Sequence, residues 1–224
     1  MEISYFGHSC FRIKTKKALV VTDPFDGSIG LTLPKLKADI VTVSHGHKDH
    51  ANFKVVEGTE AHPEPFVIQG LGEYEVSEMY VWGLPSYHDD EKGKKRGKNT
   101  LYFMLSEGVR LTHLGDLGHL LSDKMADKIS QTDILFVPVG GKYTLDAAMA
   151  VKVVEQISPN IVIPMHYNMA GSSPEKDPSG LGLAPVKEFL EKIGAESVRP
   201  VPKLSIKAET MPEERQVIVL DAKS

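Results

Sequence analysis

The chain has 224 residues, of which 41% are hydrophobic and 25% charged, so it is long and apolar enough for one sizeable domain spanning residues 1–224. Its formal net charge of -4, with both signs scattered along the chain, gives no long-range field that would recruit nucleic acid or an anionic membrane. The single cysteine, Cys10, excludes an intramolecular disulfide and a cysteine-rich zinc site. No stretch approaches the roughly 20 apolar residues of a membrane helix, so we expect neither a membrane nor a nucleic-acid partner.

The first predicted element is a strand, because the opening MEISYFGHSCFRI alternates in the manner of a strand. This pattern differs from that of a signal peptide. The difference favours a cytoplasmic protein. Six later segments combine β-branched and aliphatic residues and end at polar or glycine-containing turns, as buried strands do. They are 18–24, 38–45, 79–88, 109–116, 133–141 and 160–166. Four of the six end on His or Asp, so we expect them to bring polar side chains to one edge of a sheet.

Amphipathic helices are predicted in the second half of the chain, at 120–130, 144–158 and 184–194. The second of them has Thr144 in a position to cap its N-terminus. The tail at 204–221 is typical of a hairpin or of two edge strands. Strands therefore dominate the first 115 residues, and strands and helices alternate after that.

The segment SHGHKDH, residues 44–50, contains three of the nine histidines of the chain and one aspartate. A glycine that follows a β-branched run places the motif in a loop just past a strand, where imidazoles can turn toward one point. His45 and His47 can supply two nitrogen ligands to one cation, whereas Asp49 and His50 can begin a second coordination sphere. Further ligands must come from other strand ends, and the candidates downstream are His88, Asp116 and His166.

The ordered set of these residues resembles the metallo-β-lactamase fold superfamily. Flanking segments resemble more narrowly the branch of metal-dependent hydrolases that includes ascorbate-phosphate lactonase. These segments are GHSCF (7–11), TDPF (22–25), HLGDLGH (113–119), PVGGKYTLD (138–146) and IPMHY (163–167). The resemblance extends from about residue 3 to about residue 194, which is most of the chain.

The resemblance implies an α/β (α+β) protein with the four-layer αββα sandwich of this superfamily and a two-metal site at the mouth between the two sheets. Carried over to this sequence, the first metal would be held by His45, His47 and His88, and the second by Asp49, His50 and His166, with Asp116 bridging both. A ligand set of histidine and carboxylate without thiolate suits zinc, which we favour, and also manganese or iron. The diiron oxidoreductases of the superfamily typically have glutamate in place of a histidine of the first motif, whereas this chain keeps His47.

The chemistry of such a site is hydrolysis. Two cations about 3.5 to 4 Å apart can share a water, lower its pKa toward neutrality and stabilise both the attacking and the leaving oxygen. Asp49 is then both a ligand and the residue that orients the hydroxide, and His8 is predicted to contact the substrate or to donate a proton, the alternative being a core histidine. We therefore predict a hydrolase that cleaves a small anionic ester or lactone. In a narrower version of this prediction, the substrate is also phosphorylated.

Two other functions remain open from the sequence. The first is a phosphodiesterase or nuclease, because the same two-metal geometry suits phosphoryl transfer. The second, ranked lower, is a non-catalytic metal-binding scaffold or sensor. Seven candidate ligands exceed the four that a structural ion needs, which argues against the scaffold. The identity of the small-molecule substrate and the oligomeric state are not determined by the sequence.

Several other features have two interpretations each. His113 and His119 either orient the Asp116 carboxylate or are buried histidines bonded to the backbone. The basic run KGKKRGK at 92–98 either meets a phosphate or carboxylate on the substrate or is a solvated turn. The segment 169–183, rich in Gly, Ser and Pro, is a candidate lid or a disordered loop.

Overall fold

The computed structural model describes residues 1–169, 177 and 180–223. Its strands in chain order are β1 (Glu2–Gly7), β2 (Cys10–Lys14), β3 (Leu19–Thr22), β4 (Lys37–Ala38), β5 (Ile40–Thr42), β6 (Glu57–Gly58), β7 (Phe66–Ile68), β8 (Gly72–Val76), β9 (Met79–Tyr87), β10 (Lys98–Ser106), β11 (Val109–His113), β12 (Ile134–Pro138), β13 (Ile161–Met165), β14 (Leu204–Ser205) and β15 (Gln216–Val217). Its α-helices are α1 (Asp123–Ile129), α2 (Ala147–Ile157) and α3 (Val186–Ile193), and short 3-10 helices lie at Gly27–Ile29, Phe53–Val55 and Ala208–Thr210.

Two mixed sheets account for most of the strands. One has the order β14-β1-β2-β3-β5-β7 and the other the order β15-β13-β12-β11-β10-β9-β8, while β4 and β6 form a separate pair. Strands β8 to β11 are antiparallel neighbours, whereas β11, β12, β13 and β15 are parallel. Parallel neighbours need crossover connections, and α1 and α2 lie in two of them. The first half of the chain consists mainly of strands, whereas strands and helices alternate after β11 because the parallel strands β11, β12 and β13 are joined through α1 and α2.

The six-stranded sheet is buried on both faces. Val20 and Ile40 point to the main core, which also contains the buried side chains of the seven-stranded sheet. Cys10, Val21 and Val41 belong to a second apolar cluster on the opposite face. This alternation is the period of two that a strand imposes on its side chains, and it makes Cys10 a fully buried free thiol.

Helices cover the seven-stranded sheet. All residues of β12 and β13 are buried, and α2 contributes buried side chains to the same core. α2 contacts β12, while α1 and α3 contact α2, so the helices form a layer on this sheet. Within the described residues, no helix is long and apolar enough to cross a membrane.

Two local predictions need correction. The opening segment is a hairpin rather than one strand, because β1 and β2 pair in antiparallel fashion around a turn at His8, whose φ is 55°. α2 is capped by Asp146, which accepts a hydrogen bond from the Met149 amide, and not by Thr144. Thr144 instead lies in a turn, where its amide donates to Gly141.

The tail forms two edge strands rather than a hairpin. β14 pairs in antiparallel fashion with β1, and β15 pairs in parallel with β13. The tail therefore contributes one strand to each of the two sheets. β14 joins the six-stranded sheet and β15 joins the seven-stranded sheet. The local sequence does not specify which sheet each strand joins.

Candidate active site

The residues singled out in the sequence follow strands that end at one mouth of the sandwich. His8 follows β1, and the 44–50 loop follows β5, both in the six-stranded sheet. His88 follows β9, Asp116 lies three residues after β11 and His166 follows β13, all in the seven-stranded sheet. The two sheets thus contribute opposite walls of one site.

The Asp116 carboxylate lies at the centre of this site. Its Oδ2 is 3.0 Å from His88 Nε2, 3.3 Å from His166 Nε2 and 3.9 Å from His45 Nε2. Its Oδ1 is 3.3 Å from His50 Nε2. Four imidazoles from three parts of the chain therefore face one buried carboxylate.

The donor atoms fall into sets whose members lie within 4.8 Å of one another. One set is His45, His47 and His88, and a second is His8, Asp49, His50 and His166. A third set, His45, His50 and Asp116, connects them. The structure brings together all seven residues that the resemblance implies as ligands. It adds His8 to the set that contains Asp49, His50 and His166.

The residues present fit a bound metal ion. Asp116 Oδ1 is buried without a hydrogen-bond partner among the described residues, although an unsatisfied buried acceptor is costly. Ring nitrogens also face each other, at 3.0 Å between His45 Nε2 and His47 Nδ1 and at 3.0 Å between His8 Nε2 and His50 Nε2. A bound cation would replace the proton that must otherwise lie between such facing ring nitrogens, and nitrogen with carboxylate oxygen is a donor set that zinc, manganese and iron accept.

Burial keeps part of the site neutral. Desolvation, with the neighbouring His50, lowers the pKa of His45 to about 3. Desolvation, with the neighbouring His166, lowers the pKa of His8 to about 3. Both rings are therefore unprotonated near pH 7, and neutral imidazole is the form that binds a cation.

An ion pair forms the charged part of the site. Burial alone would lower the pKa of His50, but the Asp116 carboxylate outweighs it and raises that pKa well above its usual range. Burial alone would raise the pKa of Asp116, but His166 and His50 outweigh it and hold that pKa well below its usual range. Without a cation, His50 carries a proton that balances Asp116, and a bound cation would displace it.

The backbone that presents Asp116 is held by Asn99, which the sequence analysis missed. Asn99 Oδ1 accepts the Asp116 amide at 3.0 Å, and its Nδ2 donates to the Leu114 carbonyl at 2.9 Å. Between them lies Gly115 with a φ of 52°, where a Cβ would collide with the side chains of Asn99 and Ser44. Nothing local in the sequence marks Asn99, since it lies within β10 like any strand residue.

A second missed residue is Asp23, which follows β3. Asp23 Oδ2 lies 2.9 Å from His50 Nδ1, and its Oδ1 accepts the Ser44 amide at 2.7 Å. The predicted strand at 18–24 carried the same signal of an acidic residue at a strand end. That signal could have identified Asp23.

His113 and His119 do not contact the Asp116 carboxylate. His113 Nε2 lies 3.0 Å from the Ser9 carbonyl and its Nδ1 accepts the Gly115 amide at 3.2 Å. His119 Nε2 accepts the Tyr87 amide at 3.2 Å. Both histidines bond to the backbone of segments that lead to site residues. His113 is thus a buried histidine bonded to the backbone, whereas His119 bonds to the backbone but is only half-buried.

The basic run wraps around one buried aspartate. Asp89 accepts hydrogen bonds from four backbone amides, including those of Lys95 and Arg96. The Arg96 guanidinium lies 5.4 Å from the centre of the Tyr143 ring, and the Tyr143 carbonyl is 3.1 Å from His88 Nδ1. The run is thus a structured turn that adjoins the His88 side of the site.

The predicted lid at 169–183 falls on residues of which 170–176, 178 and 179 lie outside the described part of the chain.

Residues 2–166 match the family model of the beta-lactamase superfamily domain. The chain belongs to this superfamily. The UPF0173 metal-dependent hydrolase of Thermoplasma acidophilum is 30% identical over 188 residues, which cover 75% of this chain and 84% of that protein. A UPF0173 metal-dependent hydrolase of Carboxydothermus hydrogenoformans is 30% identical over 196 residues, which cover 75% of this chain and 85% of that protein.

Solved structures of similar proteins agree with the fold. A candidate Zn-dependent hydrolase of this superfamily from Thermotoga maritima has a TM-score of 0.77 and 33% identity, and covers 98% of this chain and 97% of its own. Igni18, a metallo hydrolase from Ignicoccus hospitalis, has a TM-score of 0.66 and 20% identity over 92% of this chain and 99% of its own, and this likeness concerns the fold alone. The predicted superfamily and fold class are confirmed, and the chain is a metal-dependent hydrolase of the metallo-β-lactamase superfamily. The resemblance to ascorbate-phosphate lactonase stays a prediction.

Proposed function

We propose that this hydrolase uses two divalent metal ions to cleave a small anionic ester or lactone. The proposed ligands are His45, His47 and His88 for one ion and Asp49, His50 and His166 for the other, with Asp116 between them. The observation that supports this proposal is the meeting of two sets of donor atoms, each within 4.8 Å, at the buried Asp116 carboxylate, whose Oδ1 makes no hydrogen bond within the described part of the chain. Zinc is the preferred ion and manganese the alternative, because the donors are nitrogen and oxygen without thiolate.

The chain supplies orientation and hydrogen bonds rather than a nucleophilic side chain. When bound, the ions would lower the pKa of water toward neutrality and stabilise negative charge on the attacked oxygen. Asp49 is 22% exposed at its side chain, so it can face both the buried cluster and an incoming water. Its carboxylate can accept a hydrogen bond from that water and orient it.

His8 is the proposed partner of Asp49 and of the substrate. Its Nε2 lies 3.2 Å from Asp49 Oδ2. Because burial and the neighbouring His166 lower the pKa of His8 to about 3, the neutral ring carries one N–H near pH 7. We assign that N–H to holding Asp49 in place or to donating a hydrogen bond to an oxygen of the substrate on which negative charge develops.

A cavity of about 490 Å³ beside His45 is the proposed substrate site. Its walls include His45, Gln69, Leu71, Tyr87 and Lys98. This volume suits a small molecule rather than a polymer. Lys98 is an exposed cation on its wall, which favours a substrate that carries a carboxylate or phosphate.

Replacing Lys98 by glutamine is expected to raise KM for an ester bearing a carboxylate or phosphate by about tenfold, because a hydrogen bond to a charged group contributes about 1.5 to 3 kcal/mol. KM for a neutral ester with the same leaving group should not change. The matched control is Lys94→Gln, since Lys94 is an exposed lysine of the same basic run that does not line this cavity. Steady-state kinetics on the two esters check the prediction, and equal KM changes for both would contradict it.

The proposed function is tested by counting metal ions and measuring turnover on one preparation. Metal-free protein is loaded with zinc, manganese or iron, the ions are counted by mass spectrometry, and lactones, thioesters, phosphodiesters and single-stranded RNA are assayed. We expect two ions per chain and hydrolysis of esters or lactones that follows occupancy. Turnover of phosphodiesters or RNA alone would favour the phosphodiesterase, whereas one ion whose removal unfolds the protein would favour the scaffold. Absence of turnover on phosphorylated sugar lactones would remove the lactonase prediction.

A further inference from the structure

We propose that the cavity beside His45 takes a substrate whose apolar group and anionic group lie on opposite sides of the cleaved bond. Leu71 contacts the apolar group and Lys98 the anion, which makes Leu71 a specificity-determining residue. The inference rests on the proposed function, because it divides the proposed substrate site into two parts. Three features of the fold support it: the exposure of Leu71, the contacts that hold its loop, and the register of β9.

Leu71 presents exposed apolar surface in the wall of the cavity. It is 56% exposed, the largest value among the exposed large apolar residues of the described chain. It lines the cavity of about 490 Å³ together with Pro85 and Tyr87. A single exposed leucine is ordinary on a protein surface, but apolar surface that lines a cavity is typical of a ligand site. An apolar group of the substrate would remove this surface from water.

The loop that carries Leu71 is held by hydrogen bonds on both sides. Before the loop, the Ile68 carbonyl accepts the hydroxyl of the completely buried Tyr102 at 3.1 Å. After it, the Leu71 carbonyl accepts the Tyr74 hydroxyl at 3.1 Å. Leu71 is therefore exposed because its backbone is held at this position. A contact surface that is already in place avoids the cost of ordering it when a ligand binds.

The register of β9 places Leu71 and Lys98 at opposite ends of the cavity. A Cβ at Gly83 would lie 3.2 Å from the Leu71 Cα, so Leu71 is level with Gly83. Lys98 pairs with Tyr87 at the other end of this stretch. The four residues of strand from Gly83 to Tyr87 span about 13 Å, at about 3.3 Å per residue.

The loop that carries the first proposed metal ligands lies between these two ends. Thr100 pairs with Pro85, midway along this stretch of β9, and the Thr100 amide donates to the Ser44 carbonyl at 2.8 Å. His45 is the next residue of that loop and lines the same cavity. A bond cleaved beside His45 therefore has the leucine toward one side and the lysine toward the other. The substrate that fits carries its apolar group and its anion on either side of that bond.

The experiment measures kcat/KM on esters of para-hydroxybenzoate whose acyl group grows from acetyl to octanoyl. The carboxylate of the alcohol part stays constant, while the chain extends on the other side of the ester bond. Monoalkyl esters of succinate carry the two groups in the reverse order and are assayed alongside. In at least one series, kcat/KM of the wild-type protein should rise by about fourfold for each methylene that reaches Leu71. In Leu71→Asn the ratio of the longest to the shortest ester should fall about tenfold or more, because one leucine side chain is no longer covered.

Two further variants separate the two ends of the cavity. Leu120→Asn is the matched control, because Leu120 is also an exposed leucine in a loop, at 41%, but lines a different cavity of about 390 Å³. It should keep the chain-length dependence of the wild-type protein. Lys98→Gln should lower kcat/KM for all esters of that series by a similar factor and leave the ratio of the longest to the shortest ester unchanged.

Calorimetry with octanoate on the same metal-loaded preparations separates failure of this inference from failure of the proposed function. Octanoate should bind to the wild-type protein about tenfold or more tightly than to Leu71→Asn. Equal chain-length ratios in the wild-type protein and Leu71→Asn in both series, or a fall of the ratio in Leu120→Asn, would overturn the proposal and leave ester hydrolysis intact. If the wild-type chain hydrolysed neither these esters nor lactones, the proposed function would fail, while octanoate binding would still decide the role of Leu71.

Discussion

Replacing Asp116 by asparagine is expected to eliminate stable binding of two ions and to lower kcat/KM by about 10³-fold or more. Asp116 is the carboxylate that four imidazole nitrogens face at 3.0 to 3.9 Å, and asparagine keeps its shape but removes its charge. Metal ions contribute several kcal/mol to transition-state stabilisation in hydrolysis, and 1.36 kcal/mol corresponds to a factor of ten. Metal analysis after dialysis and steady-state kinetics measure the two effects.

The control for Asp116→Asn is Asp146→Asn. Asp146 caps α2 through its hydrogen bond from the Met149 amide, and asparagine caps helices about equally well. The control variant should therefore keep the metal content, activity and melting temperature of the wild-type protein. Full metal content and activity in Asp116→Asn would show that the central carboxylate is not part of the metal centre.

Replacing His8 by asparagine is expected to lower kcat by about 10² to 10³-fold while both ions stay bound, because a hydrogen-bond donor positioned at developing charge contributes about that much. Asparagine is chosen because His8 has a φ of 55°, a conformation that asparagine tolerates. The shorter side chain should no longer reach Asp49 Oδ2, which His8 Nε2 approaches to 3.2 Å. The measurements are kcat at saturating substrate and the number of ions per chain.

The ion count distinguishes two roles of His8. His8 Nε2 belongs to the same set of donor atoms as Asp49, His50 and His166, so it could serve as a ligand. Loss of one ion in His8→Asn would assign His8 as a ligand and reject the loss of its hydrogen bond as the cause of lost activity. His62→Asn is the control, since His62 bonds to the Ser77 hydroxyl and lies in none of these sets.

The sequence alone identified the residues that converge at the mouth of the sandwich. The SHGHKDH motif and the polar residues that end 79–88, 109–116 and 160–166 are local signals, because a strand that ends on His or Asp is visible in a few consecutive residues. The superfamily followed from the order of the same motifs. That these residues bind metal remains a prediction, while their proximity is a property of the fold.

Only the tertiary structure decided how these residues are held. Asn99 bonds to the Asp116 amide 17 residues away, and Asp23 bonds to His50 27 residues away, so neither contact is visible in consecutive residues, although an acidic residue at the end of the predicted strand 18–24 is a local signal for Asp23 itself. Asp146 rather than Thr144 caps α2, because Thr144 belongs to a turn closed by Gly141. The strand ends located in the sequence thus predicted which side chains meet. Tautomers, caps and supporting hydrogen bonds instead depend on partners that are distant in the sequence and that only the packed sheets bring within reach.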